Sequence, residues 1–273
     1  MNNPGSLVCV GTGMMLGAHI SPRSRSHIEQ ADVVFAAVSD SMVELWLKGM
    51  HTDVRSLQPY YSEGKSRHET YREMIEAMMV EVRAGKRVCG AFYGHPGVFA
   101  FAPHKVIEQA LEEGFQAHME PGISAEDCLY ADLGIDPGRV GCQHYEASQF
   151  MFYRRQIDPS AYLVLWQVGI AGDRSFKRYA TEPAYRALLI ELLEEHYPLN
   201  HEIIVYEAAT LPISAPRMQK LALSELADAA LYLQSTLVLP PCQAMQRNES
   251  MLARIEALDR VLNSTSTVTT THK

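Results

Sequence analysis

Between positions 58 and 71 the chain reads Gln58-Pro59-Tyr60-Tyr61-Ser62-Glu63-Gly64-Lys65-Ser66-Arg67-His68-Glu69-Thr70-Tyr71, so three phenols and a guanidinium fall within one short stretch. A phenol is a weak acid, and it takes part in proton transfer near neutral pH only when its surroundings make it more acidic. A guanidinium close by favours the phenolate and also stabilises negative charge developing on a neighbouring oxygen. Arg67 and Tyr71 stand four apart across a helix start, a spacing that lets their side chains share one face. The plainer alternative is a surface loop whose tyrosines lie over the core and whose Arg67 is a solvated charge.

A second candidate is Tyr93-Gly94-His95-Pro96-Gly97-Val98-Phe99, where two glycines and a proline follow an apolar strand and let the backbone approach a ligand closely. Gly11-x-Gly13 says less. It lacks the third glycine of a dinucleotide fingerprint, and many strand-to-helix turns need glycine for positive φ. His95, His104, His118 and His144 have no His-x-x-x-His spacing and read as hydrogen-bonded structural residues, so no metal is expected. Met74, Met78 and Met79 recur at helical spacing and read as core packing.

Such groups need elements to position them. Leu7 to Val10 and Val33 to Val38 are short apolar runs that read as buried parallel strands, with helical composition over Ser21 to Gln30 between them. Thr70 to Ala84 predicts an amphipathic helix closed by Gly85. Val88 to Tyr93 then predicts a strand, and Pro103 to Glu113 a helix stopped by Gly114. Pro and Gly punctuate the chain at Glu120-Pro121-Gly122. Beyond lie predicted strands at Leu163 to Val168, Glu202 to Ala208 and Leu231 to Leu239, with a helix at Pro183 to His196. The expected division is an α/β domain over 1–120, a second over 121–245, and over 246–273 a short helix, Ser250 to Leu262, leading into a Ser/Thr tail too polar to order itself.

The 273 residues are 47% hydrophobic and 21% charged, a globular balance. A formal charge of -8 without a basic run argues against nucleic acid as a partner. Five widely spaced cysteines with no Cys-x-x-Cys pair point to a reducing compartment, and no apolar run reaches the roughly 18 residues that span a bilayer. A cytoplasmic location off the membrane is expected.

Tyr93 to Phe99, the Gly122-Ile123-Ser124-Ala125-Glu126 segment and Ser235-Thr236 before Pro240-Pro241 together resemble the tetrapyrrole-methylase fold superfamily, over about residues 6 to 241. Within it, the strings YGHPGVF, PGISAED, IDPG, WQVG and YEAATLP are similar to the borosin peptide backbone N-methyltransferases. The resemblance implies two α/β domains with an S-adenosylmethionine cleft between them, a homodimer, and α-N-methylation of backbone amides in a ribosomal precursor peptide. It also implies that Tyr61, Arg67 and Tyr71 are catalytic. Cofactor contacts are implied at Tyr93, His95, Val98, Phe99, Ser124, Ala125, Gln167, Ala208, Ser235 and Thr236. Some relatives carry a tyrosine where Gln58 stands here. Fused borosin proteins carry their core peptide on the same chain, and the polar residues 264–273 do not look like such a core, so the expectation is a precursor bound in trans. Two other readings stand beside it: a methyltransferase of the same fold acting on a porphyrinoid or other small molecule, and a catalytically silent peptide-binding partner.

Overall fold

The computed structural model describes residues 5–38, 40–62 and 64–268, with side chains as far as 263. The first half alternates strand and helix: β1 (Ser6–Gly11), α1 (Pro22–Gln30), β2 (Val33–Ala37), α2 (Ser41–Lys48), β3 (Val54–Ser56), α3 (Arg67–Arg83), β4 (Arg87–Phe92), α4 (Ala102–Glu112) and β5 (Gln116–Glu120). The five strands form one parallel sheet in the order β3-β2-β4-β1-β5. Each central strand feeds both faces. Leu7 and Cys9 point with Phe35 and Val88 into the core under α3 and α4, while Val8 and Val10 point with Val34 and Cys89 toward α1 and α2. Burial on both faces is why these strands read as unbroken apolar runs. Met74, Met78 and Met79 lie wholly in the first of these cores.

The second half begins with α5 (Ala125–Leu133), α6 (Pro137–Val140), β6 (Cys142–Glu146), α7 (Ala147–Phe152) and β7 (Tyr162–Trp166). It continues through α8 (Pro183–Glu194), β8 (Glu202–Glu207), β9 (Arg217–Ala222) and β10 (Thr236–Leu239), and α9 (Glu249–Val268) follows. Its sheet is mixed, in the order β6-β7-β10-β8-β9, with β6 parallel to β7 and the remaining pairs antiparallel. Again two cores flank it, one built on Leu163, Leu165, Val205 and Leu237, the other on Val164, Trp166, Tyr206 and Val238.

Two expectations need correction. The strand read over Leu231 to Leu239 is shorter, because Tyr232 to Ser235 is a tight turn in which the Tyr232 N–H donates to Ser235 Oγ at 2.8 Å. The last helix runs past Leu262 to Val268, into residues read as too polar to order. Once a helix is nucleated, each further residue adds a backbone bond for little cost, so a few Ser and Thr residues do not end it at once. The rest of the tail, 269–273, lies outside the described residues.

Candidate active site

Three glycines bring three loops together at the carboxyl end of the parallel sheet, the edge where open α/β sheets bind ligands. Gly11 ends β1, Gly94 follows β4 and Gly122 follows β5. A Cβ on Gly122 would lie 2.3 Å from the Gly94 carbonyl oxygen and 2.7 Å from the Gly11 Cα, so only main chain fits there. Gly94 and Gly13 exchange N–H···O bonds of 2.9 and 3.2 Å. Gly11-x-Gly13 therefore serves to lock loop on loop. The Tyr93–Phe99 loop is also tied within itself: His95 Nδ1 accepts the Gly97 N–H at 2.9 Å, and His104 Nε2 lies 3.0 Å from the Gly97 carbonyl oxygen.

The phenol segment is anchored to the helix it precedes. Lys65 Nζ and Thr70 Oγ1 both donate to the Tyr60 carbonyl, at 3.0 and 3.3 Å, and Lys65 also pairs with Glu73. This folds Tyr61 back onto the first turns of α3, where its ring meets that of Tyr71 edge to face with centroids 6.5 Å apart. Tyr71 in turn stacks on Phe101 at 5.6 Å. Burial pushes the Tyr61 phenol well above the usual tyrosine range, and Tyr71, Tyr93 and a hydrogen bond to Tyr71 push the same way. Arg67 acts in the opposite direction but more weakly. The expectation that the guanidinium would make this phenol more acidic thus loses to desolvation. Tyr93 leaves 51% of its surface exposed, yet its hydroxyl end is shielded enough that desolvation, with help from Tyr71, raises it as well.

Arg67 is held by the second half of the chain. Its N–H donates to the Phe176 carbonyl at 3.1 Å and its Nη2 to the Arg178 carbonyl at 2.6 Å. The loop that supplies these oxygens is organised by the buried Asp173, whose carboxylate accepts from Ser175 N–H and Oγ and from the Lys177 and Arg178 N–H groups. His68 is packed edge-on against both Phe101 and Phe176, at 6.2 and 5.0 Å. Phe101, His68, Phe176 and Trp166 stand beside the predicted residues without having been singled out from sequence. Phe101 had a weak signal, two residues beyond Phe99, but Phe176 reaches the site only through the fold.

The candidate cofactor residues lie in the segments after β4 and β5 of the first sheet and at the ends of β7, β8 and β10 of the second. Phe99, 48% exposed, lies against Trp166 of β7 with centroids 5.4 Å apart, so the first loop rests on the second sheet. Phe99, Gln167 and Phe176 are the non-glycine residues with positive φ among the described residues, at 49°, 58° and 56°. Strained backbone of this kind persists only where the surroundings impose it. Around Gln167 they do: Val168 N–H donates to the Ser235 carbonyl at 3.0 Å, and Thr181 N–H to the Gly169 carbonyl at 3.0 Å. Ser124 caps α5 and exchanges bonds with Asp127, while Ser235 Oγ donates to Glu207 at 2.6 Å. Both hydroxyls are spent inside the protein, leaving main-chain groups at these positions for a ligand. Ala125 opens α5, Thr236 is buried at the start of β10, Ala208 packs beside Tyr206, and Val98 donates its N–H to the His95 carbonyl at 3.2 Å. Gln58 is turned to structural use, its Nε2 donating to the Val38 carbonyl at 2.8 Å.

The family model of the Tetrapyrrole (Corrin/Porphyrin) Methylases matches residues 6–227. The chain belongs to this methylase family. Its fold agrees with two solved methylases: a cobalt precorrin-4 methyltransferase of cobalamin biosynthesis (TM-score 0.60, 17% identity, 86% of this chain and 94% of that one) and the uroporphyrin-III-C-methyltransferase of Thermus thermophilus (TM-score 0.59, 19%, 87% and 93%). Much nearer in sequence are methylases whose names join methyltransferase and peptide precursor. The gymnopeptides precursor protein of Gymnopus fusipes is 41% identical over 93% of this chain, and the omphalotin A precursor protein of Omphalotus olearius 38% over 93%. A type I borosin precursor protein of Coprinopsis marcescibilis is 43% identical over 87%. The chain spans about three fifths of the length of these relatives, 61, 62 and 62% respectively. The borosin likeness thus extends over most of this methylase. Among the described residues, no helix is long and apolar enough to cross a membrane.

Proposed function

We propose that this methylase transfers the methyl group of S-adenosylmethionine to backbone amide nitrogens of a peptide. The observation that carries the reading is the convergence of Tyr61, Tyr71 and Tyr93 at the mouth of the glycine-locked loops. A macrocycle carbon has no need of a phenol pair, whereas a peptide N–H is so poor an acid that its methylation needs a positioned base and a donor for the carbonyl oxygen. The relatives' names, which pair methyltransferase with a cyclic peptide precursor, support the same substrate class.

The weakened acidity of the buried Tyr61 phenol divides the labour. Tyr61 keeps its proton and would donate it in a hydrogen bond to the Tyr71 oxygen, a bond strongest while that oxygen is a phenolate ready to act as base. Tyr71, once its own proton has passed to solvent, would take the amide proton as a phenolate. That frees the nitrogen to form the N–CH3 bond with a methyl group that bound S-adenosylmethionine would supply, leaving the neutral thioether. Arg67, fixed by the Phe176 and Arg178 carbonyls, offers its remaining N–H groups to the substrate carbonyl oxygen. The cofactor, when bound, supplies an electrophilic methyl group on a sulfonium. Residues suited to holding it are the apolar walls of Val98, Phe99 and Ala208 and the main chain at Tyr93, Ser124, Ala125, Gln167, Ser235 and Thr236. Phe101, His68 and Phe176 wall the peptide side of the phenols with apolar surface. The homodimer implied by the borosin resemblance belongs to the same proposal, and light scattering of the purified chain checks it.

Incubation with S-adenosylmethionine, a panel of apolar peptides and a porphyrinogen, read by tandem mass spectrometry, tests this reading. Methyl groups on peptide backbone nitrogens are expected, on an added peptide or on the chain itself. Methylation of the porphyrinogen alone favours the small-molecule alternative, and no donor consumption favours the silent partner.

A further inference from the structure

On the face of β5 that lies toward α1, three side chains from two elements meet. His118 and Glu120 are two apart on the strand and so project from the same face. His27, in the last turn of α1, reaches over to them, its ring 5.4 Å from that of His118. The ligand-capable atoms of all three lie within 4.8 Å of one another. His27 Nε2 is 3.6 Å and His118 Nε2 3.2 Å from the same Glu120 oxygen. Bonds of about 2.0–2.2 Å to a tetrahedral metal place ligand atoms roughly 3.3 Å apart, so these separations need little adjustment.

We propose that His27, His118 and Glu120 form a site for a divalent transition ion of the zinc type. Two imidazoles and one carboxylate are a donor set that suits Zn2+, Co2+ or Ni2+ and disfavours Ca2+ and Mg2+, which take oxygen ligands. A surface hollow of about 180 Å³, lined in part by His27 and His118, opens beside the two imidazoles. Glu120 is a well-placed anchor, its side chain only 10% exposed. Its present cationic partner is weakly held: Arg23 Nε lies 2.8 Å from the same oxygen, but that side chain is 72% exposed and free to swing into solvent. A bound ion pins α1 to the edge strand immediately before Pro121 and Gly122. It therefore stabilises the sheet border from which the Gly122–Ser124 loop departs. The site is separate from the proposed methyl transfer and takes no part in it.

The test uses the full chain without a polyhistidine tag, stripped with chelator. Zn2+ by calorimetry and Co2+ by its visible absorption should each titrate to one equivalent, and Zn2+ should raise the melting temperature. His27→Ala and His118→Ala, both at positions partly open to solvent, should fold normally by circular dichroism and each weaken Zn2+ binding by about tenfold or more. Arg23→Ala should tighten it by about two- to fivefold, the value of an exposed ion pair. Absence of stoichiometric binding, full affinity in either histidine variant, or unaltered affinity in Arg23→Ala would overturn the site.

Discussion

The two halves of the chain meet where Phe99 lies on Trp166 and Arg67 donates to the Phe176 and Arg178 carbonyls, but each side is held by a different balance of contacts. At the carboxyl ends of β1, β4 and β5 the contacts are main chain on main chain, with Gly11 and Gly122 leaving no room for a Cβ and Gly94 held at a φ of 62°. On the second sheet, side-chain networks are added to main-chain contacts such as that of Gly169, where a Cβ would lie 2.1 Å from the Tyr232 carbonyl oxygen. Trp166 donates from Nε1 to His144 Nδ1 at 3.1 Å, His144 Nε2 lies 2.8 Å from the Tyr130 hydroxyl, and Tyr130 donates to Glu126 at 2.9 Å. Burial lowers the affinity of His144 for a second proton, with Glu126 opposing more weakly, which keeps Nδ1 available as an acceptor. Glu207 likewise joins Ser235 to Arg217. The glycine side has no tolerance for added volume, whereas the network side can lose a member and remain folded.

The largest effect is therefore expected from Gly122→Ala. Its Cβ meets backbone on two sides, so the cost falls at or above the upper end of overpacking, about 3 kcal/mol, or a melting temperature lower by roughly 6–12 °C. A calorimetric scan showing little change would mean that the loops are not locked as described. His144→Ala should cost less, about 1–3 kcal/mol, because it leaves the buried Trp166 N–H without its acceptor. It should weaken cofactor affinity through Trp166 and Phe99 while leaving the rate at saturating cofactor close to wild type. A fall in that rate with unchanged affinity would erase the distinction between the two sides.

The smallest effect concerns pH. Tyr61 holds its proton more tightly folded than unfolded, so its contribution to stability is complete below about pH 10, the ordinary phenol value, and is lost as pH rises beyond it. Urea midpoints at increasing alkaline pH should fall more steeply for wild type than for Tyr61→Phe. Parallel curves would show that Tyr61 is not desolvated as the structure has it.

The same contrast explains what was legible in the sequence. β1, β2 and β4 are buried on both faces and announce themselves as apolar runs, and Gly94 and Gly97 mark a loop that must pack closely. β9, Arg217-Met218-Gln219-Lys220-Leu221-Ala222, is half-exposed and polar and carries no such signal. β3 has only three residues, too few for periodicity to show. In the candidate site, the pairing of Arg67 with Tyr71 follows from helical spacing, and the meeting of Tyr61 with Tyr71 from the turn between them. The Arg178 carbonyl that fixes Arg67 stands 111 residues away, and no local pattern could bring it there. The His27, His118 and Glu120 group leaves no local pattern for the same reason: its members come from a helix and a distant strand.

If the Tyr61–Tyr71 pair removes the amide proton as the methyl group is transferred, as proposed, single-turnover kinetics of Tyr71→Phe with a peptide substrate will show it. The rate of N–CH3 bond formation should fall by about 10²–10⁴-fold, with cofactor affinity by calorimetry unchanged. A Tyr71→Phe protein that methylates backbone nitrogen at the wild-type rate would contradict it.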